Sequence, residues 1–244
     1  MDVKQWLIIG CVVMFFSCDQ EGAWDCIKTS GNEDSERRNL SYFNAISIVD
    51  EIELELVYDS LQFVTVHGGG NLIGKVRTEV LEGVLEISNE NFCDPVRSLS
   101  RVLKVEVHTP TLEHIYSESV RNIYSKDTLR FPHLVLEVFN GVGEFDILLA
   151  GNFSAYVHSG SIDLNLAGRA DSLYLYNLGL GFISAEKVIT PYCHVNHQST
   201  GDVKVFSSGY LNLENYGLGD IYYYGTPSTI TIKEIEKENV FQAD

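Results

Sequence analysis

The chain has 244 residues, 34 acidic against 17 basic, a net charge of −17 at pH 7, and 45% hydrophobic residues. So much apolar side chain fills a sizeable core and excludes a disordered chain. The charge balance excludes a nucleic-acid partner, because phosphate binding needs clustered Lys and Arg.

Lys4 precedes an apolar run from Trp6 to Phe16. A spanning helix needs about 18 or more such residues, so this run suits the h-region of an export signal instead. Phe15-Phe16-Ser17-Cys18 is similar to a bacterial lipobox, with Phe16 standing where a small residue is usual. The similarity implies a signal peptide over residues 1–17, cleavage before Cys18, and acylation of the Cys18 thiol and new amino group. Acyl chains hold a protein at a membrane without a spanning helix. Cleavage removes Asp2 and Lys4 together, so the mature charge stays at −17. Lipid, not attraction to anionic headgroups, is then the expected membrane contact. Asp19, Gln20 and Glu21 resemble surface-export signals of some Gram-negative lipoproteins, which places the chain at the outer membrane or cell surface. Residues 18–40 read as a polar tether, strongly charged from Asn32 to Asn39.

With Cys11 removed and Cys18 lipidated, Cys26, Cys93 and Cys193 remain for an oxidising compartment. Three cysteines allow one bridge and one free thiol. Cys26 and Cys93 sit in polar, turn-like surroundings, whereas Cys193 lies in a strand-like PYCHV segment at an inward position. This pairs Cys26 with Cys93 and leaves Cys193 as a small core residue. No two cysteines stand at the short spacing of zinc ligands, and neither a metal nor a cofactor is expected.

From Phe43 onward the hydrophobic period is two, as in half-buried strands: Ile46 and Ile48, then Ile52, Leu54 and Leu56, then Val64 and Val66. Residues 41–125 read as an N-terminal β region, with Leu72 to Leu81 as its one short helical candidate. Residues 126–232 carry an internal repeat, and residues 233–244 read as a polar tail that helps cover an open edge. Five segments, beginning at Leu136, Ala155, Leu173, Cys193 and Leu211, align on Gly143, Gly160, Gly181, Gly201 and Gly219. Two residues after each glycine stand Phe145, Ile162, Ile183, Val203 and Ile221. The pattern is strand, glycine turn, strand, with glycine supplying positive φ at the corner. The step of about 20 residues is too short for a propeller blade and too long for a hairpin meander. It fits one coil of a parallel β-solenoid, in which equivalent side chains stack in columns. The rival arrangement is an antiparallel β-sandwich.

The lipobox, the Cys26/Cys93 spacing, the Cys93-Asp94-Pro95-Val96-Arg97-Ser98 segment and the repeated glycine turns together resemble a known family over roughly residues 40–230. It is the head-GIN-domain group of Gram-negative surface lipoproteins, also called putative auto-transporter adhesins. The clearest turns are Gly217-Leu218-Gly219-Asp220-Ile221 and Thr200-Gly201-Asp202-Val203. Val142-Gly143-Glu144-Phe145 and Gly181-Phe182-Ile183 lack the Asp or Ser usual after the glycine. The resemblance implies a right-handed parallel β-helix and an adhesin-like role, and brings no catalytic residues.

Gly69-Gly70-Asn71-Leu72-Ile73-Gly74-Lys75 matches most of a phosphate-binding loop, but Val76 stands where magnesium needs Ser or Thr, so it reads as a glycine-rich β turn. His158, His194 and His197 would make a transition-metal site only if they converged, and they read as exposed polar residues. Asp146 and Asp163 fall three residues after their glycines, Asp202 and Asp220 one residue after, so they form two pairs. Turn capping is the favoured role for them over calcium ligation or acid–base chemistry. Tyr216, Tyr222 and Tyr224, with Asp220, form the candidate binding surface, and Tyr174 and Tyr176 lie two coils earlier. The expected function is a lipid-anchored envelope protein that binds a glycan or protein, or serves as structure, without catalysis. The alternative is a polysaccharide-binding or polysaccharide-cleaving β-helix.

Overall fold

A computed structural model describes residues 29–91, 102–234 and 239–244. Cys18, Cys26 and Cys93, and with them the lipidation and the disulfide pairing, lie outside the described residues. The molecule is built from two facing sheets, one strand per coil in each. Six coils follow one another from residue 133: β10 (His133–Val138) and β11 (Gly141–Ala150), β12 (Asn152–Val157) and β13 (Gly160–Arg169), β14 (Leu173–Asn177) and β15 (Ile183–Ile189). They continue with β16 (Tyr192–His197) and β17 (Val203–Phe206), β18 (Tyr210–Asn215) and β19 (Ile221–Tyr224), β20 (Thr229–Glu234) and β21 (Val240–Gln242). Even-numbered strands pair in parallel in one sheet, odd-numbered strands in the other, here called the even and odd sheets. This is the expected parallel solenoid, and the parallel pairing excludes the antiparallel sandwich.

Strict alternation drives it. In β10 the sequence HLVLEV buries Leu134, Leu136 and Val138 and turns Val135 and Glu137 outward. Parallel register then files like with like. Leu134, Phe153, Leu173, Cys193 and Leu211 form one buried column, and Leu136, Ala155, Leu175, Val195 and Leu213 the next. Cys193 is fully buried with a free thiol, which burial pushes up to about 12. It occupies the inward position that the repeat assigns to it.

The repeat alignment needs two corrections. Leu136 and Ala155, set against Leu173, Cys193 and Leu211 in the sequence, file instead with Leu175, Val195 and Leu213, so the first two segments slip by two residues. The second concerns the glycines. Phe145 pairs with Leu164, Leu164 with Ile183, Ile183 with Val203 and Val203 with Ile221. The column two residues earlier is therefore Gly143, Ile162, Gly181, Gly201 and Gly219. Gly160 stands outside it, opposite Gly141. Nor is positive φ the common cause. Gly143 (φ +146°) and Gly160 (φ +101°) have it, while Gly181, Gly201 and Gly219 do not. At these three, a Cβ would run into the backbone of the coil before: the carbonyls of Ile162, Gly181 and Gly201 respectively.

The N-terminal region is wound out of sequence order. β2 (Ala45–Asp50) and β3 (Ile52–Tyr58) make the first coil in the chain but the second in space. It is flanked on one side by β8 (His114–Ser119) and β9 (Ile123–Ser125), and on the other by β6 (Val84–Asn89) and β7 (Leu103–Thr109), all parallel. The far end is closed by antiparallel strands: β5 (Val76–Leu81) on β6, β4 (Phe63–Gly69) on β7, and β1 (Glu33–Arg38) on β4.

Three boundaries therefore move. β1 lies inside the stretch read as tether. Its EDSERR sequence is exposed and charged, as suits a protected sheet edge. Leu72–Leu81 is not a helix: a 3-10 turn at Ile73–Lys75 leads into β5, where Val76 and Thr78 bury one face against β6. The stretch read as a polar tail supplies the end of β20 and all of β21, the last coil. One buried core runs unbroken from Phe43 to Ile221 across the division drawn at residue 125. The glycine-rich segment ends β4 and enters the 3-10 turn, with Gly70 N–H donating to the Asn32 carbonyl at 2.8 Å.

Candidate functional site

Because the even sheet turns its Leu, Val and Cys side chains inward, the residues between them form its outer face. Register stacks His114, Val135, Ser154, Tyr174, His194, Asn212 and Thr231 in one column. Tyr116, Glu137, Tyr156, Tyr176, Asn196, Glu214 and Lys233 stand beside it in a second. Rings meet along both. Phe139 stacks on His158 with centroids 4.5 Å apart, and His158 lies 5.9 Å from Tyr176. Tyr156 lies 5.3 Å from Tyr174 and 6.4 Å from Tyr176, and Tyr174 meets His194 edge-on at 5.0 Å. His114 stacks on Tyr116 at 4.1 Å, and Tyr192 on Tyr210 at 5.2 Å. With strands about 4.8 Å apart, the ringed part of the face is roughly 20–30 Å long.

Polar groups punctuate the rings. Glu137 lies 3.2 Å from His114 Nε2 and 3.9 Å from His158 Nε2. Glu214 is 2.9 Å from Lys233 Nζ, and accepts from Tyr216 Oη and Asn196 Nδ2 at 3.3 Å each. The Lys233 ammonium holds the Glu214 carboxyl below the usual range. Burial, helped by Lys233 and opposed by Glu214, pushes His194 down and so favours its neutral ring at pH 7. Burial pushes the Tyr174 phenol up and keeps it a proton donor. The face thus combines apolar ring surface with hydroxyl, amide and carboxylate groups.

The tyrosines singled out in the sequence do not share one surface. Tyr216 joins the even-sheet side through Glu214, whereas Tyr222 and Tyr224 lie on β19 in the odd sheet. Tyr222 donates to Asp220 at 3.1 Å and stacks on Phe241 at 5.5 Å. The three histidines diverge: His158 and His194 are on the outer face, but His197 points inward and is fully buried. No group of three or more His, Cys, Asp or Glu suited to a metal occurs among the described residues.

The aspartates fall into the register that the misplaced glycine hid. Asp163 follows Ile162 in the glycine column, so Asp163, Asp202 and Asp220 all stand one residue after it, and Glu144 pairs with Asp163. Asp163 accepts from Phe182 N–H and Asp202 from Asp220 N–H, each at 3.0 Å, one coil onward. These are the expected turn caps. Asp146 instead accepts from Asn165 Nδ2 at 2.9 Å and lines a shallow odd-sheet depression of about 420 Å³ with Ser184, Glu186 and Lys187. His158 and His194 lie outward there as expected, while Tyr156, Phe139, Tyr116, Tyr192 and Tyr210 are the face residues that the sequence reading missed. Their signal was the polar half of the period-two alternation.

No curated protein matches the chain. Its fold is similar to that of a putative adhesin from Bacteroides fragilis, with a TM-score of 0.72 and 20% identity over 87% of this chain and 97% of that one. A putative adhesin from Parabacteroides merdae matches at TM-score 0.63 and 18% identity, over 88% and 98%. A structure described as a putative lipid binding protein, from Parabacteroides distasonis, matches at TM-score 0.58 and 18% identity, over 88% and 98%. The family model described as putative auto-transporter adhesin, head GIN domain, matches residues 42–227, and the chain belongs to that family.

Proposed function

We propose that the chain is a lipid-anchored surface protein whose even-sheet face binds an extended, uncharged glycan. The continuous run of rings from Phe139 and His158 through Tyr156, Tyr176 and Tyr174 to His194 carries this reading. Sugar rings present C–H faces that pack on aromatic faces and hydroxyls that bond Asn, Glu and Tyr groups. Repeating coils offer the same contacts again at each step, which suits a repeating polymer. The charge of −17 disfavours an acidic polysaccharide. The reading assigns the chain no reaction.

Cys18 supplies the anchor in this reading, and the point where the chain enters the fold is compatible with it. β1 closes one end of the solenoid, so a tether from Cys18 attaches there. Asn71 and Gly70 hold the chain from Thr29 to Asn32, so the tether runs over residues 18–28, a reach of up to about 40 Å. Labelled palmitate should enter the chain and should be lost on Cys18→Ala; retained label would sink the anchor.

For the ligand, the full chain is applied to an array of neutral and acidic polysaccharides. Neutral extended glycans should bind, and Tyr156→Ala combined with Tyr176→Ala should weaken binding at least tenfold while the circular dichroism stays unchanged. Signal at background on every neutral glycan, or a double variant that binds like its parent, overturns the assignment.

A further inference from the structure

The two ends of the solenoid differ. At the β1 end, antiparallel strands and charged side chains block further pairing: Arg38 bonds Glu36, and Arg77 bonds Glu79 and approaches Glu86. At the other end, β20 is the last strand of the even sheet and β21 the last of the odd sheet. Ile230 and Ile232 continue the inward columns of Leu211 and Leu213, yet they are 40% and 45% exposed because no described coil lies beyond them.

We propose that this end pairs with the same end of a second copy, about a two-fold axis normal to the sheets at Thr231. The hydrogen-bond direction selects the register. Thr229 N–H donates back to the Gly209 carbonyl at 3.1 Å. Successive residues of a strand point their N–H and C=O groups to opposite sides. Ile230 and Ile232 therefore direct theirs to the free edge. A two-fold at Thr231 runs the two β20 strands antiparallel and sets Ile230 opposite Ile232 of the other copy. Both pairs are then hydrogen-bonded, with all four isoleucines on the inner side. Centring on Ile232 would instead oppose Ile230 to Glu234, a carboxylate against the core. Because the axis is normal to the sheets, both even-sheet faces point to the same side. Because the other end is blocked, the contact closes as a dimer and does not propagate into a fibre. The end face is small, roughly 20 Å by 20 Å from strand length and sheet spacing. Such an area, about 800 Å² over both copies, falls below the range of stable specific interfaces, so the dimer is weak, concentration-dependent and strengthened by confinement on a membrane.

Thr231 sits on the axis as a non-hydrogen-bonded pair, with Cα atoms about 4.5 Å apart, which a disulfide spans. In membranes carrying the full chain, Thr231→Cys should give at least tenfold more oxidised dimer than the unaltered chain. Thr229→Cys, opposite Lys233 of the other copy, should give no excess. In sedimentation across a dilution series in detergent, the unaltered chain should dissociate from dimer to monomer, and Ile232→Lys should be monomeric throughout. A monomer up to about 100 μM, a dimer that survives Ile232→Lys, or equal cross-linking by Thr229→Cys overturns the proposal. None of these readouts depends on glycan binding.

Discussion

Gly181→Ala should lose more than about 4 kcal/mol of stability, enough to leave a typical domain largely unfolded at 37 °C. The cost does not come from backbone conformation, since Gly181 lies outside the positive-φ region. It comes from space. A Cβ there would overlap the Ile162 carbonyl oxygen far inside van der Waals contact. The two coils are locked at that separation from both sides. Leu180 N–H donates to Gly160 at 2.7 Å, Leu164 N–H to Phe182 at 2.8 Å, and Phe182 N–H to Asp163 Oδ1 at 3.0 Å. Admitting a methyl means spreading the coils, loosening those bonds at about 1 kcal/mol each and opening the apolar columns behind them. Gly219→Val should fail for the same reason against the Gly201 carbonyl, with His197 Nε2 2.8 Å from the new Cβ. Gly74→Ala is the control: its Cβ would meet nothing within 4 Å, and its urea midpoint should match or slightly exceed the parent's. Gly181→Asn separates the two explanations. Asn tolerates positive φ, so a corner that needed only φ would accept it, whereas close approach rejects it as firmly as Ala. A Gly181→Ala midpoint within experimental error of the parent would refute the coil spacing itself.

The same glycines show what the sequence could and could not reveal. Burial imposes a period of two, and stacking repeats it, so the inward positions from Leu134 to Ile221 are legible without coordinates. Register is not, because a column keeps its apolar character under a slip of two residues. Anchoring on glycine placed Gly160 where Ile162 belongs, and the slip split Asp163 from Asp202 and Asp220. Counting from Ile162, the steps even out and the aspartates align. Spatial order was equally hidden. Ile46 and Ile48 announce a strand, but nothing local says that β2 lies between β6 and β8. β1 and β21 went unread because edge and terminal strands need no apolar alternation. The tyrosine cluster at 216–224 misled for a simpler reason: a turn inside it carries Tyr222 and Tyr224 to the opposite sheet. Rings on successive coils, about 20 residues apart in sequence, are neighbours in space. Tyr156, Tyr174 and His194 therefore make a surface that adjacency in sequence does not suggest.

Lowering the pH from 7 to 4 should cost the protein about 3 kcal/mol through one side chain, His197. Its column continues Val138 and Val157 as Asn177, His197 and Asn215, all inward and all buried. Asn215 is well served: its Nδ2 donates to the Gly219 carbonyl at 2.9 Å and its Oδ1 accepts from Gly217 N–H at 3.1 Å. Among the described residues neither ring nitrogen of His197 makes a hydrogen bond of ordinary geometry, and the Gly201 backbone is its nearest polar neighbour on the chain. Burial pushes its pKa down to about 4, and the attraction of Asp202 and the Gly201 backbone only partly oppose this. The sign follows from comparison with about 6.5 in the unfolded chain. Between those values the unfolded chain binds a proton that the folded chain refuses, so stability is full above about pH 6.5 and falls as pH drops toward 4. Two and a half pH units at about 1.4 kcal/mol each set the size. His197→Asn removes the titrating group and installs the residue found in the coils on either side. The many carboxylates titrate alike in both proteins, so the difference between parent and variant isolates the imidazole. Urea midpoints at pH 7 and pH 4 should diverge by that amount, with the variant the less acid-sensitive of the two. Parallel pH profiles would mean that the ring finds a proton acceptor in the folded state, and the buried, neutral histidine would have to be abandoned.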